Sequence, residues 1–182
     1  MPVVAGSRAE ARWHAVVEEH QVALAAYLDA AARLPEGAWN RPWAPGKWSP
    51  AQLTEHLSLT YRVLTGELRG GEGMRLKLTP LRRRILKTLM LPHMLFHRTF
   101  PRRAPAPREV RPGEGPFPPR AEALARMRAL GEAIERESER ARAAGIRGVS
   151  HAYFGTIDLT RGMRLCAVHL EHHTRQLASI KG

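Results

Sequence analysis

Four stretches of this sequence repeat apolar residues every three to four positions, and none alternates apolar and polar residues over a strand's length. That periodicity confines the chain to helices packed on helices. The first stretch runs through Trp13, Val16, Val17, His20, Leu24, Tyr27, Leu28 and Ala31 and ends at Leu34-Pro35. The residues ahead of it read as a short lead without order. The second opens at Ser49-Pro50-Ala51-Gln52, with Ser49 as N-cap, Pro50 at the first helical position and Gln52 able to complete a capping box. Leu53, Leu57, Thr60, Leu64 and Leu68 form its inward face, and Gly70-Gly71 stops it. The third spans about residues 119–144, where Leu124, Met127, Leu130, Ile134, Ser138 and Ala141 point one way. Glu and Arg at three- and four-residue offsets supply its solvated face. Gly145 and Gly148 end it, Tyr153-Phe154-Gly155 makes a turn, and Asp158 caps a last helix running through Ile180. The expected fold is an all-α four-helix bundle, one domain over residues 1–182.

Residues 71–117 interrupt this rhythm with Pro and Arg clusters around one helical piece from Pro80 to Leu91, which Pro92 is expected to kink or end. We read the segment as an insertion between the second and third helices. It holds most of the charge: from Arg75 to Arg111 eleven Lys or Arg face the single acid Glu109, a net +10 of the chain's +12. Such a patch can bind nucleic acid or anionic lipid. The sequence has no helix-turn-helix, zinc-finger or RNP signature, so any such binding is expected to rest on charge and to vanish near physiological ionic strength. Removing residues 73–112 is accordingly expected to leave a metal site intact. The longest apolar run, Ile85 to Phe96, is broken by Lys87, Pro92 and His93 and falls short of the roughly 20 residues needed to span a bilayer.

Chemistry concentrates in Val168-His169-Leu170-Glu171-His172-His173-Thr174-Arg175-Gln176-Leu177. At about 100° per residue, His169 and His173 lie roughly 40° apart on adjacent turns, where both imidazoles can reach one ion. His172 lies about 60° beyond His169, at the border of the apolar stripe. Pairs of this kind also arise by chance on solvated helices, so a third ligand is required. His56, on the flank of the second helix's inward face, can meet a neighbouring helix without disrupting the packed stripe. His20 falls on an apolar stripe and reads as a core histidine. Cys166, one turn before His169, reads as a small buried hydrophobe. Glu55, beside His56, and Glu171, inside the histidine cluster, are candidate acceptors for the ligands' ring N–H groups, and His172 and His151 are further candidate supports.

The strings Pro45-Gly46-Lys47-Trp48-Ser49-Pro50-Ala51-Gln52-Leu53-Thr54-Glu55-His56-Leu57, His151-Ala152-Tyr153-Phe154-Gly155 and His169-Leu170-Glu171-His172-His173 resemble the DinB-like superfamily. The family's His-Pro before the Phe-Gly turn is His151-Ala152 here. The resemblance implies an up-down-down-up four-helix bundle, commonly a homodimer, holding a divalent metal on His56, His169 and His173. It also implies thiol S-transferase activity, in which a low-molecular-weight thiol attacks an electrophile.

Three neutral imidazoles suit zinc, nickel or iron, with zinc or nickel favoured, and three protein ligands leave a coordination position open, as catalytic sites do. The sequence assigns no catalytic side chain beyond the ligands. Two other functions fit the same residues: a metal-binding stress or detoxification protein without catalysis, and a binding module for nucleic acid or a membrane surface built on the basic segment. A single cysteine and no recognisable secretory leader lead us to expect a cytoplasmic protein.

Overall fold

Ser49 starts the second helix as its sequence requires: its Oγ accepts the Gln52 N–H at 3.2 Å while Gln52 Oε1 accepts the Ser49 N–H at 2.9 Å. The computed structural model describes residues 4–75, 78–101 and 105–180. Its elements are α1 (Val4–Ala32), α2 (Pro50–Leu68), α3 (Pro80–Ile85), a π turn (Leu86–Met90), α4 (Leu91–His97), α5 (Arg120–Ala143), β1 (Gly148–His151), β2 (Gly155–Asp158) and α6 (Leu159–Ala178). Helix α1 packs along α6 and α5, and α2 packs along α5. Helix α1 begins at Val4 rather than near Trp13, so the expected lead is helical from there.

The buried faces match the 3.6-residue repeats. Trp13, Val16, Leu24, Tyr27 and Leu28 from α1 join Leu53, Leu57, Tyr61 and Leu64 from α2, Met127 and Ile134 from α5, and Leu165, Leu170 and Leu177 from α6 in one cluster. Several polar groups within it are paired, although the buried Thr65 hydroxyl of α2 has no partner among the described residues. His20 Nδ1 donates to Glu135 Oε1 at 2.6 Å and His20 Nε2 accepts from the Tyr61 hydroxyl at 2.6 Å, linking α1, α5 and α2. Tyr27 donates to Thr54 Oγ1 at 2.8 Å, and Thr54 in turn donates to the Pro50 carbonyl. His20 is thus the core histidine the periodicity implies.

Two features depart from the all-helical expectation. The first is an antiparallel hairpin pairing Val149 with Ile157 and His151 with Gly155. Its strands are four residues each, too short for alternation to register in the sequence. Val149 and Ile157 bury themselves against Gly162 of α6, and Glu67 of α2 accepts the Ser150 N–H on both carboxylate oxygens, at 2.9 and 3.0 Å. Gly148 admits no side chain, because a Cβ there would sit 2.3 Å from the Ile157 carbonyl oxygen. Asp158 then caps α6 as expected, accepting the Arg161 N–H at 2.9 Å.

The second feature lies at Pro92, expected to kink or end the helical piece: the helix does not end there but continues past a π turn, an irregularity of the kind that bends helices. A π turn precedes it, the Leu91 N–H reaches back to the Leu86 carbonyl, and Pro92 sits in the first turn of α4, where its missing N–H costs nothing. Helix α4 stops at Arg98, whose left-handed backbone (φ 51°) turns the chain back toward α6. Arg98 is held there by Glu171, which accepts from its Nε at 3.0 and 2.8 Å and from its Nη2 at 2.5 Å. Arg175 adds a hydrogen bond to the Arg98 carbonyl at 2.6 Å. Among the described residues, no helix is long and apolar enough to cross a membrane.

Candidate metal centre

Capping fixes where α2 and α6 begin and therefore where their histidines fall. His56, in the second turn of α2, meets His169 and His173 from the middle and end of α6. The His56 and His169 Nε2 atoms lie 3.0 Å apart, and those of His169 and His173 2.9 Å. One nitrogen of each of the three lies within 4.8 Å of the others. Such separations of about 3 Å are what neighbouring ligands on one ion have when each bond is about 2.0–2.1 Å.

The opposite ring nitrogens decide which atoms are free to bind. His56 Nδ1 lies 2.6 Å from the Val110 carbonyl, which can only accept, so the ring proton is on Nδ1 and the Nε2 lone pair faces the cluster. Gln176 does the same for His173: its Oε1 accepts from His173 Nδ1 at 2.8 Å while its amide nitrogen donates to His172 Nε2 at 3.1 Å. Two lone pairs therefore converge on His169 Nε2, an arrangement of acceptors that a cation satisfies. The donor set fits a divalent metal.

Electrostatics keeps these rings neutral, the form that binds metal. Burial pushes His169 and His173 well below the ordinary histidine range, and the neighbouring histidines push the same way. His56 is also lowered by burial, against the opposing pull of its bond to Val110. Beside the rings, Phe100 lies tilted 4.9 Å from His169 and 5.5 Å from His172, and Trp48 lies 5.0 Å from His56. The cluster opens into a cavity of about 900 Å³ whose walls include Met74, Met90, Met94, Tyr153 and Phe154.

The other residues singled out by sequence have different places. Glu171 is committed to Arg98 and supports no ligand ring. Among the described residues no hydrogen bond joins Glu55 to His56, because successive helical residues point about 100° apart. His172 lies edge-on to His173 at 5.1 Å and touches Gln176 and Phe100, but it stands outside the three-nitrogen group. His151 lines the same cavity, stacked on Phe154 at 4.5 Å, and burial lowers it to about 4. Cys166 also lines the cavity, with burial raising its thiol to about 12, so it stays protonated.

The supporting groups are thus a backbone carbonyl and an amide rather than carboxylates. Gln176, three residues beyond His173, carried a readable signal in that spacing. Val110 carried none, since any residue has a carbonyl. The segment expected to be dispensable, residues 73–112, supplies the Val110 acceptor and the Phe100 cover, which weighs against that expectation.

No curated protein and no solved structure gives a significant match to this chain. A sequence profile of the DinB superfamily matches residues 11–177, a span that runs from the first turns of α1 through all three clustered histidines to the end of α6. The chain belongs to the DinB superfamily.

Proposed function

We propose that this protein is a metal-dependent enzyme that transfers a low-molecular-weight thiol to an electrophilic small molecule, with His56, His169 and His173 holding a divalent ion, zinc or nickel. One observation carries the reading: three neutral imidazoles, two buried and that of His169 half-buried, converge at the wall of a 900 Å³ cavity large enough for two small reactants. A bound ion would supply there the positive charge that keeps a thiol ionised at neutral pH, which a free thiol with a pKa near 8.5 is not. The chain's own part is to position and to exclude water. Val110 and Gln176 aim the nitrogens, Phe100 and Trp48 shield them, and the Met- and aromatic-lined floor receives the apolar body of the electrophile. Within this reading the bundle has the up-down-down-up order, forms one domain, works as a cytoplasmic homodimer and needs no specific nucleic-acid partner.

The test pairs metal content with turnover. Protein purified without a histidine tag is analysed for bound metal and assayed with glutathione, bacillithiol, mycothiol and coenzyme A against a haloaromatic or bimane electrophile. Loaded protein should accelerate conjugation of at least one thiol, and stripped protein should not. His56→Ala, His169→Ala and His173→Ala should each lose metal and rate, while His172→Ala retains metal. No rate above stripped protein with any thiol would sink the transferase and leave a metal-binding protein without this catalysis.

A further inference from the structure

The helical run α3, π turn and α4 has two apolar faces. Its inner face supplies Leu86, Met90 and Met94 to the cavity wall. Its outer face leaves Leu81 69%, Ile85 48%, Leu89 70% and Phe96 82% exposed. Leu81, Ile85 and Leu89 follow one another at four-residue steps, so they form a single stripe one turn apart. Large apolar side chains scattered singly are ordinary on a surface, whereas a row of them on one helix marks an interaction face.

The charges beside the stripe identify what it meets. Arg83 packs against Gly155 and Lys87 donates to the Thr156 carbonyl, so both cations are turned to the hairpin. Arg82 and Arg84 are exposed, one on each flank of the Leu81–Ile85 row. The sequence from Arg75 to Arg108 contains no acid at all. A helix with an outward apolar stripe, flanking arginines and no acids has the composition of one that lies in a bilayer interface.

We propose that this face docks on an anionic lipid surface, with Leu81, Ile85, Leu89 and Phe96 at the acyl boundary and Arg82 and Arg84 among the headgroups. Charge selects this occupant over the alternatives. A second copy paired about a two-fold axis would bring the arginines of both helices together with no acid on either to neutralise them. A nucleic acid would satisfy the arginines and leave the apolar row against phosphates and water. Lipid satisfies both. The sequence alone implies binding by charge that salt abolishes; the exposed stripe adds apolar burial that salt does not screen. The cavity wall is the other face of the same helix, about 10 Å thick, so lipid contact and site share one element.

The test is flotation of the full chain with vesicles of phosphatidylcholine containing roughly 30% phosphatidylserine, compared with phosphatidylcholine alone, at about 150 mM salt. The protein should float with the anionic vesicles and bind the neutral ones at least about tenfold more weakly. Leu89→Ser with Phe96→Ser should lower the anionic partition at least about tenfold while helical circular dichroism is unchanged. Arg82→Gln with Arg84→Gln should remove the preference for anionic lipid and flatten the salt dependence. Wild-type protein that fails to float even at about 50 mM salt overturns the proposal, as does a serine variant that binds like wild type. A wild-type dimer that the serine pair splits, without vesicle binding, assigns the face to a second copy instead. Duplex DNA binding as tight as vesicle binding and indifferent to the serine pair assigns the arginines to nucleic acid.

Discussion

Replacing Gln176 by leucine tests whether the cluster is built to hold an ion or is a set of buried histidines that happen to meet. Leucine keeps the bulk of the side chain and its helical propensity, so α6 should persist. What disappears is the amide that accepts from His173 Nδ1 at 2.8 Å and donates to His172 Nε2 at 3.1 Å. His173 is then left with a buried N–H lacking its acceptor, a loss of about 1–3 kcal/mol. The ring can recover part of this by moving its proton to Nε2 or by rotating, and either change spoils the donor atom. At 1.4 kcal/mol per decade, the expected outcome is metal affinity weakened by about 10- to 100-fold. Competition titration with a chromophoric chelator, on wild type, Gln176→Leu and His172→Ala side by side, measures it. His172→Ala should cost less, because His172 packs beside His173 but stands outside the three-nitrogen group. Unchanged affinity in Gln176→Leu, with the fold intact by circular dichroism, would refute the claim that His173's tautomer is set by Gln176.

Three further outcomes follow from the same geometry. Deleting residues 73–112 should abolish metal binding, and Phe100→Ala alone should weaken it less; a deletion that folds and keeps full metal content would show that Val110 is not a needed anchor. Metal-free protein should lose thermal stability as pH falls below about 6.5: the folded pKa values of His56, His169 and His173 lie below the unfolded value, so the unfolded chain binds more protons in that window and stability rises with pH. Full stability is present above about 6.5 and declines on acidification toward the folded values, that of His151 being about 4; a melting temperature flat from pH 7 to 5 would contradict this. Cys166→Ser should keep most turnover, and native protein should resist thiol-labelling reagents at neutral pH, since burial holds the thiol near 12; rapid labelling without unfolding would show that the thiol is reachable and ionised.

Much of this was legible in the sequence because helices announce themselves locally. The capping box at Ser49 and Gln52 fixed the start of α2, and with it the face on which His56 falls. The four-residue step from His169 to His173 needs only helical geometry to bring two rings together. The hairpin was illegible because its strands carry two buried apolar positions or fewer apiece. The continuity through Pro92 was illegible because a π turn leaves no composition signature. Proximity in sequence suggested Glu55 and Glu171 as supports, yet helical side chains one residue from a ligand point away from it, and Arg98 claims Glu171. Two residues before Phe100, Arg98 adopts a left-handed conformation that no propensity marks at an arginine.

The hydrogen-bonded chain from Glu135 through His20 to Tyr61 has a consequence for how the helices find their alignment. Leucine-rich stripes tolerate sliding, because shifting one helix by a turn of about 5.4 Å replaces one apolar contact by another. A polar relay spanning three helices does not: the same shift of α1 would strand a buried imidazole and phenol and a half-buried carboxylate at once. The relay acts as a key that admits one vertical setting of α1 and α5 against α2. Since α1 packs along α6, that setting also governs the height at which α6 presents its histidines to His56, far from the relay itself.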